Sequence, residues 1–358
     1  MIGQLQATNF AFPDMQVAAQ AAVNAANAAG GINGHVIKLD VCNDQGNPNV
    51  AASCARTAVS NKDVALVGGL SEYYPQIFPI ITAAGIPVIG AWPQDNVLTS
   101  PLSFPVDPGS VADYSVAALA MVKQGCTSVG LLYDAYVSAV LIQADQVGEA
   151  IKAAGAKAIE APIASTQPDF SALVSTLLGQ GAKCFMLVNA PAEAVSAYDA
   201  IRQLAGSSVL IGDSVSGAEA LLGEGDKVSG LVLGSGAFSP GQPQVSTAVA
   251  QIKQGNSNVQ LTPFGLMTWA AVNVFVQIAK TITGDITPSS VLAAANSAKS
   301  VTSSVYPNPI DFAKAGPSAA FSRIKNTTAL LYTYDGGTLT YKGTQDMAKA
   351  LAVMTGPS

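Results

Sequence analysis

Residues 27–49 read Asn27-Ala28-Ala29-Gly30-Gly31-Ile32-Asn33-Gly34-His35-Val36-Ile37-Lys38-Leu39-Asp40-Val41-Cys42-Asn43-Asp44-Gln45-Gly46-Asn47-Pro48-Asn49. The glycine pair ends a helix, because glycine tolerates the positive φ of a helix stop. Asn33-Gly34 is a tight-turn signal. A strand is expected from His35 to Cys42, and the polar loop Asn43–Asn49 leads into the next helix. Helix, turn, strand, loop and helix in so few residues predict parallel strands joined by crossover helices.

Outward from this stretch the alternation continues. Strand Ile2–Thr8 precedes a helix over Asp14–Ala29, started by Pro13-Asp14. A helix follows over Asn49–Ser60, then strand Val64–Gly68, a helix near Glu72–Ala84 and strand Pro87–Ile89. After Pro105–Gly109 a second doubly wound series begins. It runs helix Ser110–Lys123, strand Ser128–Tyr133, helix Ser138–Ala154, strand Lys157–Ala161, helix Phe170–Gln180, strand Cys184–Val188 and helix Ala192–Ala205. Strands Val209–Ile211 and Val228–Leu233 close it. A turn-rich break, Phe238–Pro243, leads to helices Phe264–Thr283 and Pro288–Ser297. The final segment Ala329–Tyr341 alternates around Asp335-Gly336-Gly337, which predicts a hairpin.

Bulk composition narrows the function classes. At 358 residues two domains are expected. The chain is 49% hydrophobic and 11% charged, with a net charge of −6. No basic cluster occurs, which argues against nucleic acid and anionic membrane surfaces. No run approaches the ~20 apolar residues of a membrane span.

Four cysteines pair by element: Cys42 closes a strand and Cys54 lies one turn into the next helix, while Cys126 and Cys184 each open a strand. Disulfides Cys42–Cys54 and Cys126–Cys184 and an oxidising compartment are expected; the alternative is four buried free thiols in a cytosolic protein. With no Cys-x-x-Cys and a single histidine, zinc is not expected, and neither is any other metal or cofactor.

Catalytic motifs fail on inspection. Gly212-Asp213-Ser214 has the look of a serine nucleophile, but the sole histidine, His35, starts a strand in the other domain. Gly234-Ser235-Gly236 lacks the third glycine of a dinucleotide loop, and no Walker-type lysine motif occurs. The chain is read as a non-enzyme.

The segment around Gly30-Gly31-Ile32-x-Gly34, with the polar Gly46-x-Pro48 loop after it, resembles the leucine/isoleucine/valine-binding protein family, the type I periplasmic solute receptors. The likeness covers essentially the whole chain, strongest over residues 24–69 and looser beyond about 190. It implies an α/β fold of two doubly wound parallel-sheet lobes joined by three crossings. Lobe 1 would hold 1–113 and 242–322, and lobe 2 would hold 114–241 and 323–358, with hinges near Ala112–Ser115, Phe238–Gly241 and Ser322–Asn326. It also implies export to the periplasm or cell surface, with a leader trimmed ahead of Met1. The expected partners are a small-molecule ligand and the membrane permease of an ABC importer, with no nucleic acid and a monomeric receptor. A cytosolic small-molecule sensor of the same fold is the rival.

Ligands of open parallel sheets lie beyond the carboxyl ends of the strands, near helix amino termini. The loops in that position are Asn9–Phe12, Leu70–Tyr74, Gly90–Pro93, Asp134–Tyr136, Asn189–Pro191 and Gly212–Ser214. By resemblance, Phe12 covers the ligand, Ser71 and the amides around Ala91 and Trp92 bind a carboxylate, and Tyr136 closes from lobe 2. Tyr73 adds an aromatic edge; Asn189, Asp213 and Ser214 complete the set. Each has a plainer reading as well: Trp92 and Tyr73 as core covers, Ser71 as an N-cap, Asp213 as a cap or ion-pair partner. The family's glutamate for an amino-acid ammonium falls near Ser214, and its tyrosine after the strand ending at Val188 is replaced by Asn189-Ala190. The expected ligand therefore has a carboxylate or other acceptor, an apolar or aromatic body, and no α-ammonium; the alternative is a branched-chain or aromatic amino acid.

Overall fold

The computed structural model describes residues 1–6, 11–165 and 169–355. The chain forms two compact units: unit 1 is Met1–Pro108 with Ala237–Asn326, and unit 2 is Gly109–Gly236 with Thr327–Ser358. The chain passes between units at 108/109, 236/237 and 326/327. Residues 112–115, expected to act as a hinge, lie inside a helix. No helix among the described residues is long and apolar enough to cross a membrane.

Unit 1 opens with β1 (Ile2–Gly3), α1 (Asp14–Ala28), β2 (Cys42–Asn43), α2 (Pro48–Ser60), β3 (Leu66–Val67), α3 (Tyr74–Ala83), β4 (Val88–Ile89) and β5 (Ser103–Phe104). Unit 2 continues with α4 (Ser110–Lys123), β6 (Ser128–Asp134), α5 (Ser138–Ala153), β7 (Lys157–Ile163), α6 (Ser171–Gly179), β8 (Cys184–Val188), α7 (Pro191–Ala205), β9 (Ile211–Ser214), α8 (Glu219–Gly223) and β10 (Leu231–Ser235). Unit 1 resumes with α9 (Ser246–Gly255), α10 (Pro263–Ala279) and α11 (Pro288–Ser297), and unit 2 ends with β11 (Thr328–Asp335), β12 (Thr338–Asp346) and α12 (Ala348–Val353).

The signals in residues 27–49 act as read. Gly30, Gly31, Asn33 and Gly34 all take positive φ. Asn47 caps α2, its side-chain oxygen accepting from the amides of Asn49 and Val50, with Pro48 at the first helical position where no amide is needed. The expected strand His35–Cys42 is corrected: among the described residues only Cys42–Asn43 pairs as a strand, in parallel with β1, while the backbone of Ile37 is bonded by the Asn27 side chain instead. Of the expected strand Ile2–Thr8, the described residues pair only at Ile2–Gly3; Ala7, Thr8, Asn9 and Phe10 fall outside the described residues.

In unit 1, β3, β4 and β5 form a parallel three-stranded sheet. The apolar helix α10 packs against α1 and on the ends of β3 and β4. At Gly90, φ is 70° and a Cβ would stand 2.3 Å from that of Ala271, so only glycine lets the end of β4 touch α10. Unit 2 is built on one seven-stranded sheet in the order β12-β11-β10-β9-β8-β6-β7. Its first five strands in sequence are parallel, and the hairpin β11–β12 adds on antiparallel beside β10. Cys42–Cys54 and Cys126–Cys184 are disulfides.

Candidate functional site

In unit 1 the loops beyond the strands are latched to one another. Asp44 is fully buried; its Oδ1 accepts from the Gly46 amide at 3.0 Å and its Oδ2 from the Ser71 hydroxyl at 2.5 Å. The Ser71 oxygen in turn accepts from the Tyr73 amide at 3.2 Å, and the Ser71 carbonyl accepts from Gln94 Nε2 at 2.8 Å. The Tyr73 hydroxyl donates to the Gly46 carbonyl at 2.7 Å. Burial pushes the Asp44 carboxyl up, partly offset by the Ser71 hydroxyl and the Gly46 amide. Ser71 thus has its proton and a lone pair engaged inside unit 1, as a loop clamp.

The aromatic residues of this face form a cluster. Phe12 and Trp92 are buried, and both pack on Phe264 at the start of α10, with ring centroids 4.4 and 4.9 Å away. Asp14 holds that start in place: its Oδ2 accepts from the amide and the hydroxyl of Thr262, the cap of α10. Leu70, Ala91, Trp92 and Phe264 border a gap of about 10 Å³, room for one water at most. The Trp92 amide donates to the Gly69 carbonyl at 3.0 Å. The buried Ala91 amide finds no acceptor among the described residues.

Unit 2 presents a different chemistry. Asp134 ends β6, is buried, and accepts from the Ala190 amide at 2.8 Å through Oδ2. Glu193, in the first turn of α7, accepts from the Tyr136 hydroxyl at 3.1 Å. Burial, then the neighbouring Glu193 carboxyl, pushes the Asp134 carboxyl up to about 7. Burial and the same carboxylates push the Tyr136 phenol up to about 12.

Asn189, one residue past β8, is 5% exposed, and neither its amide oxygen nor its nitrogen has a partner among the described residues. Asp213 is fully buried; Oδ1 accepts from the Ser214 amide at 2.6 Å, while Oδ2 has no partner. Burial pushes that carboxyl well above the ordinary range. Asp213 and Ser214 belong to β9 itself, which corrects their expected place in the loop after the strand. The Ser214 hydroxyl accepts from the Gly217 amide at 2.8 Å and shares a hydrogen with Ser216. The buried Tyr114 phenol feels Asp213, Asp113 and Asp134, so these carboxyls lie in one neighbourhood. None of the ion pairs among the described residues involves Asp134, Asp213 or Glu193.

Unit 1 therefore brings together Phe12, Trp92 and Ala91, with Ser71 and Tyr73 in the adjoining clamp. Unit 2 groups Tyr136 with Asp134 and Glu193, and holds Asn189, Asp213 and Ser214 at neighbouring strand ends. The sequence reading did not single out Asp44, Phe264, Asp134 or Glu193. Asp134 carried a signal, a carboxylate closing an apolar strand. Glu193 carried none, since an acidic first-turn residue favours any helix dipole.

A family model described as periplasmic binding protein matches residues 6–323. No curated protein sequence matches the chain. The chain is similar to the structure of a putative branched-chain amino acid ABC transporter from Rhodospirillum rubrum, at 19% identity and a TM-score of 0.74, covering 95% of this chain and 98% of that one. It is also similar to the branched-chain amino acid transporter substrate binding protein of Streptococcus pneumoniae, solved in complex with isoleucine, at 17% identity and a TM-score of 0.73 over 96% and 98% of the two chains. A fatty acid ABC transporter substrate-binding protein from Thermomonospora curvata stands at 16% identity and a TM-score of 0.73, covering 97% and 92%. At such identities the likeness carries the fold, the type I periplasmic binding protein fold.

Proposed function

The chain belongs to the periplasmic binding protein family, and from that premise we propose that it is the extracytoplasmic receptor of an ABC importer for a small molecule with an apolar body, a carboxylate and a protonated nitrogen. The family consists of solute-binding receptors and not enzymes. Two disulfides suit an oxidising compartment better than the cytosolic sensor reading. The apolar body is matched to Phe12, Trp92 and Phe264, and the carboxylate to the Ala91 amide.

The observation that carries the nitrogen is the set of buried carboxyls in unit 2 without a cation. Asp134 and Asp213 each hold an unpartnered oxygen, and Asn189 beside them holds two unpartnered atoms. Buried acceptors of this kind cost about 1–3 kcal/mol each until a donor reaches them. This reverses the expectation drawn from Ser214. The missing glutamate is offset by carboxyls at the ends of β6 and β9 and on α7.

Calorimetry tests the reading with leucine and phenylalanine against their deaminated hydroxy acids. A charge-assisted hydrogen bond is worth about 1.5–3 kcal/mol, so the amino acids should bind roughly 10- to 100-fold more tightly. Equal affinities would remove the nitrogen and leave a carboxylate receptor.

A further inference from the structure

Asn189 poses a different question from the carboxyls around it. It directly follows β8 and stands between strands β6 and β9 in the sheet order. Asn189, Asp134 and Asp213 are 5%, 2% and 0% exposed. The Ala190 amide donates to Asp134 Oδ2 at 2.8 Å, so the chain just past Asn189 rests on that carboxyl. Asp134 and Asp213 each keep one oxygen without a partner, whereas Asn189 keeps both its oxygen and its nitrogen. A carboxylate oxygen asks only for a donor. A carboxamide with both atoms free asks for a donor and an acceptor together.

The chain itself shows what satisfies such an amide. Asn27 donates through Nδ2 to the Ile37 carbonyl at 2.9 Å and accepts the Ile37 amide on Oδ1 at 2.8 Å. One side-chain amide thus reads the N–H and the C=O of a single residue, the exchange that two strands make in a hydrogen-bonded pair. A free amino acid held this way at Asn189 would offer its ammonium and a carboxylate oxygen. That carboxylate would lie near Asp134, Asp213 and Glu193, none of which has an ion-pair partner among the described residues. Like charges in a buried place are disfavoured. An amide carbonyl accepts the same hydrogen bond without the charge.

We propose that unit 2 reads the amino end of a short peptide, the ammonium and the carbonyl of its first residue together, and that the solute is an apolar dipeptide. This rests on the carboxylate-and-nitrogen reading above and names its chemical class. Asn189 Oδ1 accepts from the ammonium, and Nδ2 donates to the peptide carbonyl. The free oxygen of Asp134, beside it, takes another ammonium hydrogen. A dipeptide carries its carboxylate one residue further on, away from these acids, with apolar side chains between the two ends.

Calorimetry on the full chain tests this with three probes: leucyl-leucine, leucine and the hydroxy acid of leucine. The parent is compared with Asn189→Leu, since a leucine has the branched shape of asparagine without its two polar atoms. In the parent, leucyl-leucine should bind ~10-fold or more tightly than leucine, two hydrogen bonds to a buried amide being at stake. In Asn189→Leu the ratio of these two affinities should fall by ~10-fold. An unchanged ratio would assign the gain to added apolar surface and overturn the proposal. A parent that binds leucine as tightly as the dipeptide would also overturn it. In that case the hydroxy acid locates the failure. If leucine still exceeds its hydroxy acid, the protonated nitrogen stands and the peptide alone falls; if the two bind alike, the nitrogen falls as well.

Discussion

The latched loops of unit 1 and the strand ends of unit 2 treat buried carboxyls differently. In unit 1 the loops after β2 and β3 are latched, Asp44 taking the Ser71 hydroxyl and the Gly46 amide and the Ser71 carbonyl taking Gln94, while Gln4 Oε1 after β1 and Asp14 Oδ1 have no partner among the described residues. In unit 2 the corresponding ends hold Asp134, Asn189 and Asp213, each buried with at least one unpartnered atom. Unpartnered buried polar atoms are rare in native proteins because each forfeits its hydration. The Asp44–Ser71 latch thus satisfies its buried carboxyl, whereas unit 2 gathers three incompletely bonded polar side chains at neighbouring strand ends. Buried polar groups on their own do not reveal a site; their pairing separates a clamp from a recognition surface.

The largest effect that can sharpen this comparison comes from the covalent ties. Cys126–Cys184 closes 58 residues and Cys42–Cys54 closes 12. If the bridges act chiefly on the unfolded chain, their loss costs about 4 and about 3 kcal/mol respectively. Paired Cys→Ala variants, one pair at a time, should therefore lower the urea midpoint more for unit 2 than for unit 1. The reverse ranking would mean that local packing around the shorter bridge outweighs chain entropy.

A smaller effect breaks or upholds the distinction between latched and incompletely bonded carboxyls itself. Ser71→Ala removes a hydrogen bond to a buried carboxyl and should destabilise by about 2 kcal/mol. Asp213→Asn keeps the oxygen that accepts from the Ser214 amide and replaces the one that has no partner. It should leave stability within ~1 kcal/mol of the parent at pH 7. Equal costs for the two variants in urea unfolding would erase the contrast between the units.

Part of this was legible in the sequence. Gly30, Gly31, Asn33 and Gly34 announce positive φ, Asn47-Pro48 announces a helix start, and Asp335-Gly336-Gly337 announces the last hairpin; all are local signals. The cysteine pairs followed from which element each residue opens or closes. The polar partnerships were not legible, because they join residues far apart in the chain. Ser71 meets Asp44 at a separation of 27, and Tyr136 meets Glu193 at 57. Residues 35–42 failed for another reason: strand composition becomes a strand only when a neighbour supplies the other half of the ladder. The helix Ser246–Gly255 went unread, since its polar, glutamine-rich run follows a cluster of turn formers.

The smallest expected effect concerns the raised Asp134 carboxyl of unit 2. Asp134 stands at about 7 in the folded protein because of burial and Glu193, against an ordinary carboxyl value near 4 in the unfolded chain. A raised folded value means that the folded state keeps the proton longer than the unfolded state does. The contribution is therefore full below about pH 4, is lost as pH rises toward about 7, and changes no further above that. The other buried carboxyls, Asp14, Asp44 and Asp213, are raised as well and slope the same way. The slope of the parent alone thus says nothing about the pair. Glu193→Gln isolates it, since a glutamine carries no charge against Asp134 and can donate to it, which returns Asp134 toward its ordinary range. Urea midpoints at pH 5, 6, 7 and 8 should fall less steeply in this variant than in the parent, with the curves meeting at the acid end. Parallel curves would mean that Glu193 does not raise the Asp134 carboxyl, and any pull on a ligand nitrogen would then have to come from Asp213 and Asn189.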